Sequence, residues 1–276
     1  MRRAGRAILG FYLPLAVIGL PMLFPLYWLA SSSLKTRGEA FAVRPTWYPH
    51  APTLEGYRGV FGGTFVHAVQ TSLIVAGVTS VLSVAAALCG GYALARLRFP
   101  FRRTCGAMLL FTQLFPAAAI LIPLYLFWSR IGMHGTYTAL IVTYLAQAVP
   151  ITTWLVKGYV ETIPIETEQQ AWIDGAGRFR ASVEVVLPLA GPAVGATGLL
   201  AFVGAWNEFV FALALTGTDP RKKTLPVAMV DFMGQHGIEW GQLMAAAVIA
   251  TVPAIVLFFL AQRFFVHGLT AGAVKG

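Results

Sequence analysis

Residues 168–192 read EQQAWIDGAGRFRASVEVVLPLAGP, a polar segment inside a largely apolar chain. It opens on acids and amides, passes through Gly175 and Gly177, and closes at Leu187-Pro188. The wider stretch from Lys157 to Pro188 is too polar to cross a bilayer, which requires about 20 apolar residues as helix. Ile163-Pro164 stops the preceding helix, because the residue before proline is steered out of the α region. Thr167 and Gln170 have the spacing of a capping box. Glu166 and Glu168 lie near the same start, where the helix dipole favours acids. Trp172, Ala176, Phe179 and Val183 then recur at helical spacing on one face. The pattern predicts a short amphipathic helix over about 166–180, tethered to membrane helices on both sides. Gly175 and Gly177 would let another surface approach closely. The competing reading is a helix lying on the lipid headgroups.

The surrounding composition is that of an integral membrane protein. The chain has 276 residues, 57% hydrophobic and 11% charged, against about 25% charged in soluble domains. Its mean hydropathy is +0.71. Six charge-free runs are long enough to span: Ala7–Leu34, Ala68–Ala95, Thr104–Ser129, Ile131–Val156, Val185–Asn207 and Trp240–Gln262. The fifth is expected to continue past Glu208 to Leu215. Lipid leaves backbone groups no partner but each other, so these runs are helices; they do not alternate as barrel strands do. The start MRRAGR followed by Ala7–Ala30 has the look of a signal peptide, but its apolar run exceeds the h-region length of about 7–15 residues. It is expected to remain as a first span. Pro14, Pro21, Pro25, Pro116, Pro123, Pro150 and Pro253 fall within the runs and are candidate kinks.

The net charge of +9 is not arranged as a nucleic-acid surface, since no basic patch is interleaved with aromatics. Arg2, Arg3, Arg6 and the cluster Arg96, Arg98, Arg102, Arg103 favour an orientation with both termini inside. Arg221-Lys222-Lys223 runs against that bias locally. With the termini inside, the 166–180 helix faces the cytoplasm. Cys89 and Cys105 make no disulfide framework. His50, His67, His134, His236 and His267 are scattered without ligand spacing, so no metal site is expected. The phosphate-loop pattern G-x-x-x-x-G-K-[ST] is absent, so no ATP site is expected on this chain. Gly90-Gly91 reads as a close helix contact.

Glu208 is the one acid inside a span. An acid there is costly and usually faces protein or a cavity. It reads either as a group lining a pathway or gate, with Trp206, Asn207 and Phe209 around it, or as a helix-end acid reaching the interface. Trp206, Phe209 and Phe211 could stack on a ligand; membrane belts and core packing use such rings too.

The segment resembles the cytoplasmic loop of ABC importer permeases, written EAA, three residues, Gly, nine residues, I-x-L-P, and in the sugar branch E-E-A-A-x-x-D-G-A. Here it reads Glu168-Gln169-Gln170-Ala171-Trp172-Ile173-Asp174-Gly175-Ala176, then Val185-Val186-Leu187-Pro188. Gln169 and Gln170 depart from the family's Glu and Ala. Trp206-Asn207-Glu208-Phe209 resembles the W-N-x-F of sugar permeases, and Thr224-Leu225-Pro226-Val227 their T-L-P-V. The ending from Gln262 to Gly276 resembles the tail of maltose-type permeases. The resemblance covers roughly 65–276.

It implies an all-α membrane fold of the ABC type I importer kind, with six transmembrane helices and both termini inside. The implied division is 1–64 for the first helix and extracytoplasmic segment, 65–265 for the transmembrane domain with its coupling helix, and 266–276 for the tail. The implied partners are a second homologous permease, an ATP-binding-cassette ATPase dimer carrying ATP and Mg, and an extracytoplasmic sugar-binding protein. The chain itself would bind no cofactor, carry no catalytic residue and sit in a bacterial or archaeal cytoplasmic membrane. Glu168, Gln169, Gln170, Ala171, Asp174, Gly175 and Ala176 are the implied docking residues. Gly272, Val274, Lys275 and Gly276 are the implied tail contact; Ala271-Gly272-Ala273 reads as a flexible lead into it. The implied function is sugar uptake driven by a partner's ATP. Another polar solute such as a sugar phosphate stays open. So does a stand-alone secondary transporter, although no internal repeat of the kind such folds use is visible.

Overall fold

The computed structural model describes residues 2–217, 219–234 and 237–273, with side chains over 12–217, 219–234 and 237–262. The long elements are α1 (Arg2–Ser33), α2 (Phe65–Arg96), α3 (Arg102–Leu114, its last turn 3₁₀), α4 (Ala117–Arg130), α5 (Tyr137–Thr162), α6 (Ile165–Ile173), α7 (Arg178–Leu189), α8 (Gly191–Trp206), α9 (Val210–Leu215) and α10 (Trp240–Ala273). Among the described residues the strand content is one short pairing, Met233–Gly234 against Gly237–Ile238.

Four helical stretches are long and apolar enough to cross a membrane: Tyr12–Ser33, Phe65–Arg96, Tyr137–Thr162 and Trp240–Gln262. The other two charge-free runs are not straight. α3 and α4 meet at 94°, and α7 and α8 at 73°. Each break has a local cause. Phe115 is extended (ψ 123°) and Pro116 likewise (ψ 135°), because Pro116 disfavours the helical conformation in the residue before it. At the second break, Pro192 opens α8 within its first turn, where its missing N–H costs nothing. The prolines inside α1, α4, α5 and α10 leave those helices continuous. α10 continues through Ala273, so residues 271–273 are helical and not the flexible lead expected. Val274, Lys275, Gly276 and His236 lie outside the described residues, and of Gly272 only its place in α10 is described.

Contacts divide the chain into two compact units, 1–66 with 229–252, and 67–228 with 253–276. In the first, Trp47 ties the following segment to α1: its carbonyl accepts from Tyr27 Oη at 2.8 Å and Ser31 Oγ at 3.1 Å. Lys35 Nζ donates to the Thr46 carbonyl and lies 4.4 Å from the Trp28 ring centroid. The Glu39 carboxylate accepts from Thr46 Oγ1 at 2.8 Å and the His50 N–H at 3.0 Å. Those donors, the His50 N–H first, hold the Glu39 carboxyl below its usual range.

In the second unit α2, α5 and α8 pack through small residues. A Cβ on Gly91 would fall 2.8 Å from Val156 Cγ1 and 2.9 Å from the Lys157 nitrogen. Gly90 faces Thr153 in the same way. Both glycines are therefore close-approach positions, as small residues at membrane helix interfaces are. Ser80 Oγ donates to the Gly198 carbonyl at 2.7 Å, linking α2 to α8. Ala87, Val156, Val160, Ile163, Val186 and Ala190 form a buried cluster at one end of these helices. That cluster is the floor on which α6 and α7 are set.

Candidate functional site

α6 starts directly after Pro164, whose φ of −57° is already helical and whose ψ of 132° is extended. The expected start at the Thr167 capping box is displaced: Thr167 is inside the helix, and the break at Ile163-Pro164 itself sets the beginning. The end also differs. The helix does not run to 180 but stops at Ile173, with Asp174 as C-cap. Gly175 then turns the chain at φ +90°, a conformation glycine adopts at little cost. The Gly175 N–H donates to the Trp172 carbonyl and the Ala176 N–H to the Ala171 carbonyl, closing the turn. α7 restarts after Gly177 and contains a π-helical stretch over Ser182–Val186.

The break separates residues that a continuous helix would align. Trp172 is half-buried, whereas Phe179 is 83% exposed. They do not share a face.

Glu168 is the anchor of α6. It is 0% exposed, and its carboxylate accepts from Arg96 Nε at 2.5 Å and Tyr92 Oη at 3.0 Å. Arg96 Nη2 also donates to the Ile163 carbonyl at 2.5 Å. One guanidinium thus ties the end of α2 to both the α5–α6 link and α6. Arg102 continues the network, bonding the Leu94 and Ala95 carbonyls at the end of α2. Lys157 and Arg102 pair with Glu161.

The opposite side of α6 is bare. Gln169, Gln170, Asp174 and Gly175 are exposed, and Ile173 is 85% exposed. Ala171 and Ala176 are half-buried beneath them. Of the seven docking residues expected from the sequence, Glu168 alone faces inward. Ile173 and Phe179 join the exposed set as large apolar groups.

The Trp206–Phe209 stretch joins α8 to α9, so the fifth span does not continue unbroken to Leu215. Trp206 is 2% exposed and stacks on Phe202 at 5.6 Å. Phe211 is also buried. Neither ring is presented for stacking on a ligand. Asn207 is exposed and Phe209 half-buried. Glu208 instead caps α9: Oε1 accepts from the Phe211 N–H at 2.8 Å, and Oε2 from the Ala212 N–H at 2.9 Å and Tyr144 Oη at 2.8 Å. It also lines a cavity of about 260 Å³ with Gln113, Tyr144, Gln147 and Thr79. The Thr79 hydroxyl is buried there without a hydrogen-bond partner among the described residues. Sequence reasoning singled out Glu208 but not this polar ring, whose members sit on α2, α3 and α5. No group of His, Cys, Asp or Glu suited to a metal occurs among the described residues.

Membrane-length apolar helices, two bent apolar pairs and a polar helix pinned to the end of α2 are the frame of a multi-pass membrane component. The family of binding-protein-dependent transport system inner membrane components matches residues 83–270, and the chain belongs to it. It is 36% identical to the sulfoquinovosyl glycerol transport system permease protein SmoH of Agrobacterium fabrum, over 92% of this chain and 89% of that one. It is equally 36% identical to the trehalose/maltose transport system permease protein MalG of Thermococcus litoralis, over 92% of each. The trehalose transport system permease protein SugB of Mycobacterium tuberculosis is 36% identical over 99% of both chains. A crystal structure of a bacterial ABC transporter that imports alginate matches with a TM-score of 0.79 at 22% identity, over 95% of this chain and 98% of that one. That likeness supports the fold.

Proposed function

We propose that this permease is one of two related membrane subunits of a sugar-importing ABC transporter, driven by an ATPase dimer that docks on α6. In this reading the chain has six spans, two of them bent, with both termini and α6 in the cytoplasm. It resides in a bacterial or archaeal inner membrane and receives sugar from an extracytoplasmic binding protein. The relatives named for trehalose, maltose and sulfoquinovosyl glycerol supply the sugar class.

The observation that carries the coupling role is the two-sidedness of α6. Its outer face offers Gln169, Gln170, Ile173, Asp174 and Gly175 to a partner, while Glu168 locks its inner face to Arg96. A displacement of α6 is thereby passed to α2 through a buried ion pair and to α5 through Ile163. Gln169 and Gln170 carry no charge, so docking relies on shape and on the apolar Ile173. Glu208 is read as a gate element: breaking its bond with Tyr144 frees α9 relative to α5. Gly272, Val274, Lys275 and Gly276 are read as a second contact with the ATPase.

The test is reconstitution of the complex purified on this chain into proteoliposomes with the cognate binding protein. Uptake of labelled trehalose or maltose that requires both ATP inside and the binding protein outside is expected. Uptake driven by an ion gradient, with no ATPase in the preparation, would replace this reading with the secondary transporter.

A further inference from the structure

Next to the Glu168–Arg96 pair lies a cavity of about 380 Å³ lined by Tyr92, Arg96, Leu97, Arg98, Ile165, Glu168, Trp172 and Arg178. Arg96 is neutralised by Glu168. Arg98 and Arg178 make no ion pair among the described residues, and both are exposed. The Trp172 Nε1 is buried with no hydrogen-bond partner among the described residues. A buried donor left unpaired is costly, so a polar acceptor at this position would relieve it. The cavity therefore presents two cations without an ion pair, Arg178 lying 5.7 Å from the Trp172 ring centroid, and one orphan N–H donor.

A second, apolar groove of about 590 Å³ adjoins it. Tyr92, Leu97 and Arg178 line both. The groove runs between α2 and α7 along Leu88, Cys89, Val160, Val183, Val186 and Leu187. Acyl chains suit such a wall, whose one charged lining residue is Arg178, shared with the polar cavity.

We propose that the pair of cavities is a binding site for one anionic phospholipid. The phosphate sits among Arg98, Arg178 and the Trp172 N–H, and an acyl chain lies in the α2–α7 groove. Three features support this occupant. The site is at the end of a membrane-length helix, Phe65–Arg96, where headgroups lie. Its polar part is positive, matching the phosphate, as basic pockets between membrane helices do for anionic headgroups. Its apolar part begins where the basic part ends. A bound lipid would brace α6 against α2 beside the Glu168–Arg96 pair.

The experiment is native mass spectrometry of the purified, tagged full-length chain with its co-purifying subunits, titrated with phosphatidylglycerol, phosphatidylcholine or inorganic phosphate. Retention of phosphatidylglycerol over phosphatidylcholine is expected. The double variant Arg98→Gln/Arg178→Gln should weaken phosphatidylglycerol binding roughly twenty- to thirty-fold, on the scale of about fivefold for each of two basic residues near a lipid surface. Val183→Trp, which fills the groove and leaves the charges, should weaken it too. Arg44→Gln/Arg58→Gln, which removes two exposed charges elsewhere, should change nothing. Equal retention of both lipids, or unchanged binding in both site variants, overturns the proposal. Displacement of the lipid by inorganic phosphate at equal concentration makes the site a free-anion site and overturns it as well. So does loss of a protein subunit from the Arg98→Gln/Arg178→Gln complex with lipid retention intact, which would make the arginines a protein contact.

Discussion

Glu168 carries more of the architecture than any other single residue. Its carboxylate is buried, and its partner Arg96 is nearly so. Removing one member of such a pair leaves a charge uncompensated, a cost of about 3–5 kcal/mol. Glu168→Ala should therefore lower the detergent melting temperature sharply. Replacing both, as Glu168→Leu with Arg96→Met, should recover most of that loss while leaving ATP hydrolysis poorly coupled to uptake. That split separates a stabilising role from a transmitting one. The inward aim of Glu168 was legible in principle, since it is four residues before Trp172 and shares its face. Glu208 tells a complementary story. A lone acid in an apolar run is visible in the sequence, but its partners are not: Tyr144 is remote in sequence, and the two amides exist as free donors only because the helix breaks at 207–209. Glu208→Leu strands all three donors and should cost about 2–4 kcal/mol, whereas Glu208→Gln keeps an acceptor and should cost less than half as much. Thermal melts of the two variants check the ordering. Outside the spans, the lowered carboxyl of Glu39 gives a pH signature. A group whose folded value is depressed stabilises above its unfolded value and loses that contribution as pH falls through its folded one. The 36–50 segment should keep slow amide exchange through neutral pH and loosen below the ordinary carboxylate range, an effect absent in Glu39→Gln.

Elements were readable where length and composition suffice, and unreadable where direction matters. The continuous helices α2 and α10 cover the charge-free runs 68–95 and 240–262, because lipid demands that length, whereas α5 (Tyr137–Thr162) lies six residues beyond the run Ile131–Val156 at each end. The runs 104–129 and 185–207 look the same in composition, yet each is bent sharply. Pro116 and Pro192 mark the places, but Pro123 and Pro150 sit in continuous helices, so proline alone does not announce a break. The α6–α7 turn has the same character: Gly175 and Gly177 were visible, but the reversal at Gly175 depends on a positive φ that only the fold reveals. Gly175→Ala should cost about 1–2 kcal/mol from that conformation and misalign the exposed face. The sharper packing test is Gly91→Leu. Its Cβ would meet backbone on α5 as well as Val156, so the helices must separate, at about 1–3 kcal/mol or more. Gly90→Ala, which meets only the Thr153 methyl at 3.1 Å, should be tolerated better in the same melting assay.

At the scale of the molecule, composition marks out spans and a polar helix between them, and the resemblance of 168–188 and of the tail to ABC importer permeases is what points to a transport subunit. The fold adds the mechanical link between the spans and that helix, a buried ion pair at the junction of α2 and α6. It also leaves Gln169, Gln170, Ile173 and Asp174 exposed while Glu168 is buried, so a partner docking as proposed would meet the exposed four. In the proposed transporter this surface faces the cytoplasm and meets an ATPase. The most direct measurement is thiol cross-linking in native membranes of Gln169→Cys, with Cys89 and Cys105 both changed to Ser because each is exposed. A cross-linked band containing the ATPase is expected, and its loss when Ile173→Arg is added. Labelling of the same cysteine by a membrane-impermeant maleimide applied to the outside of intact cells, with no ATPase band, would contradict it.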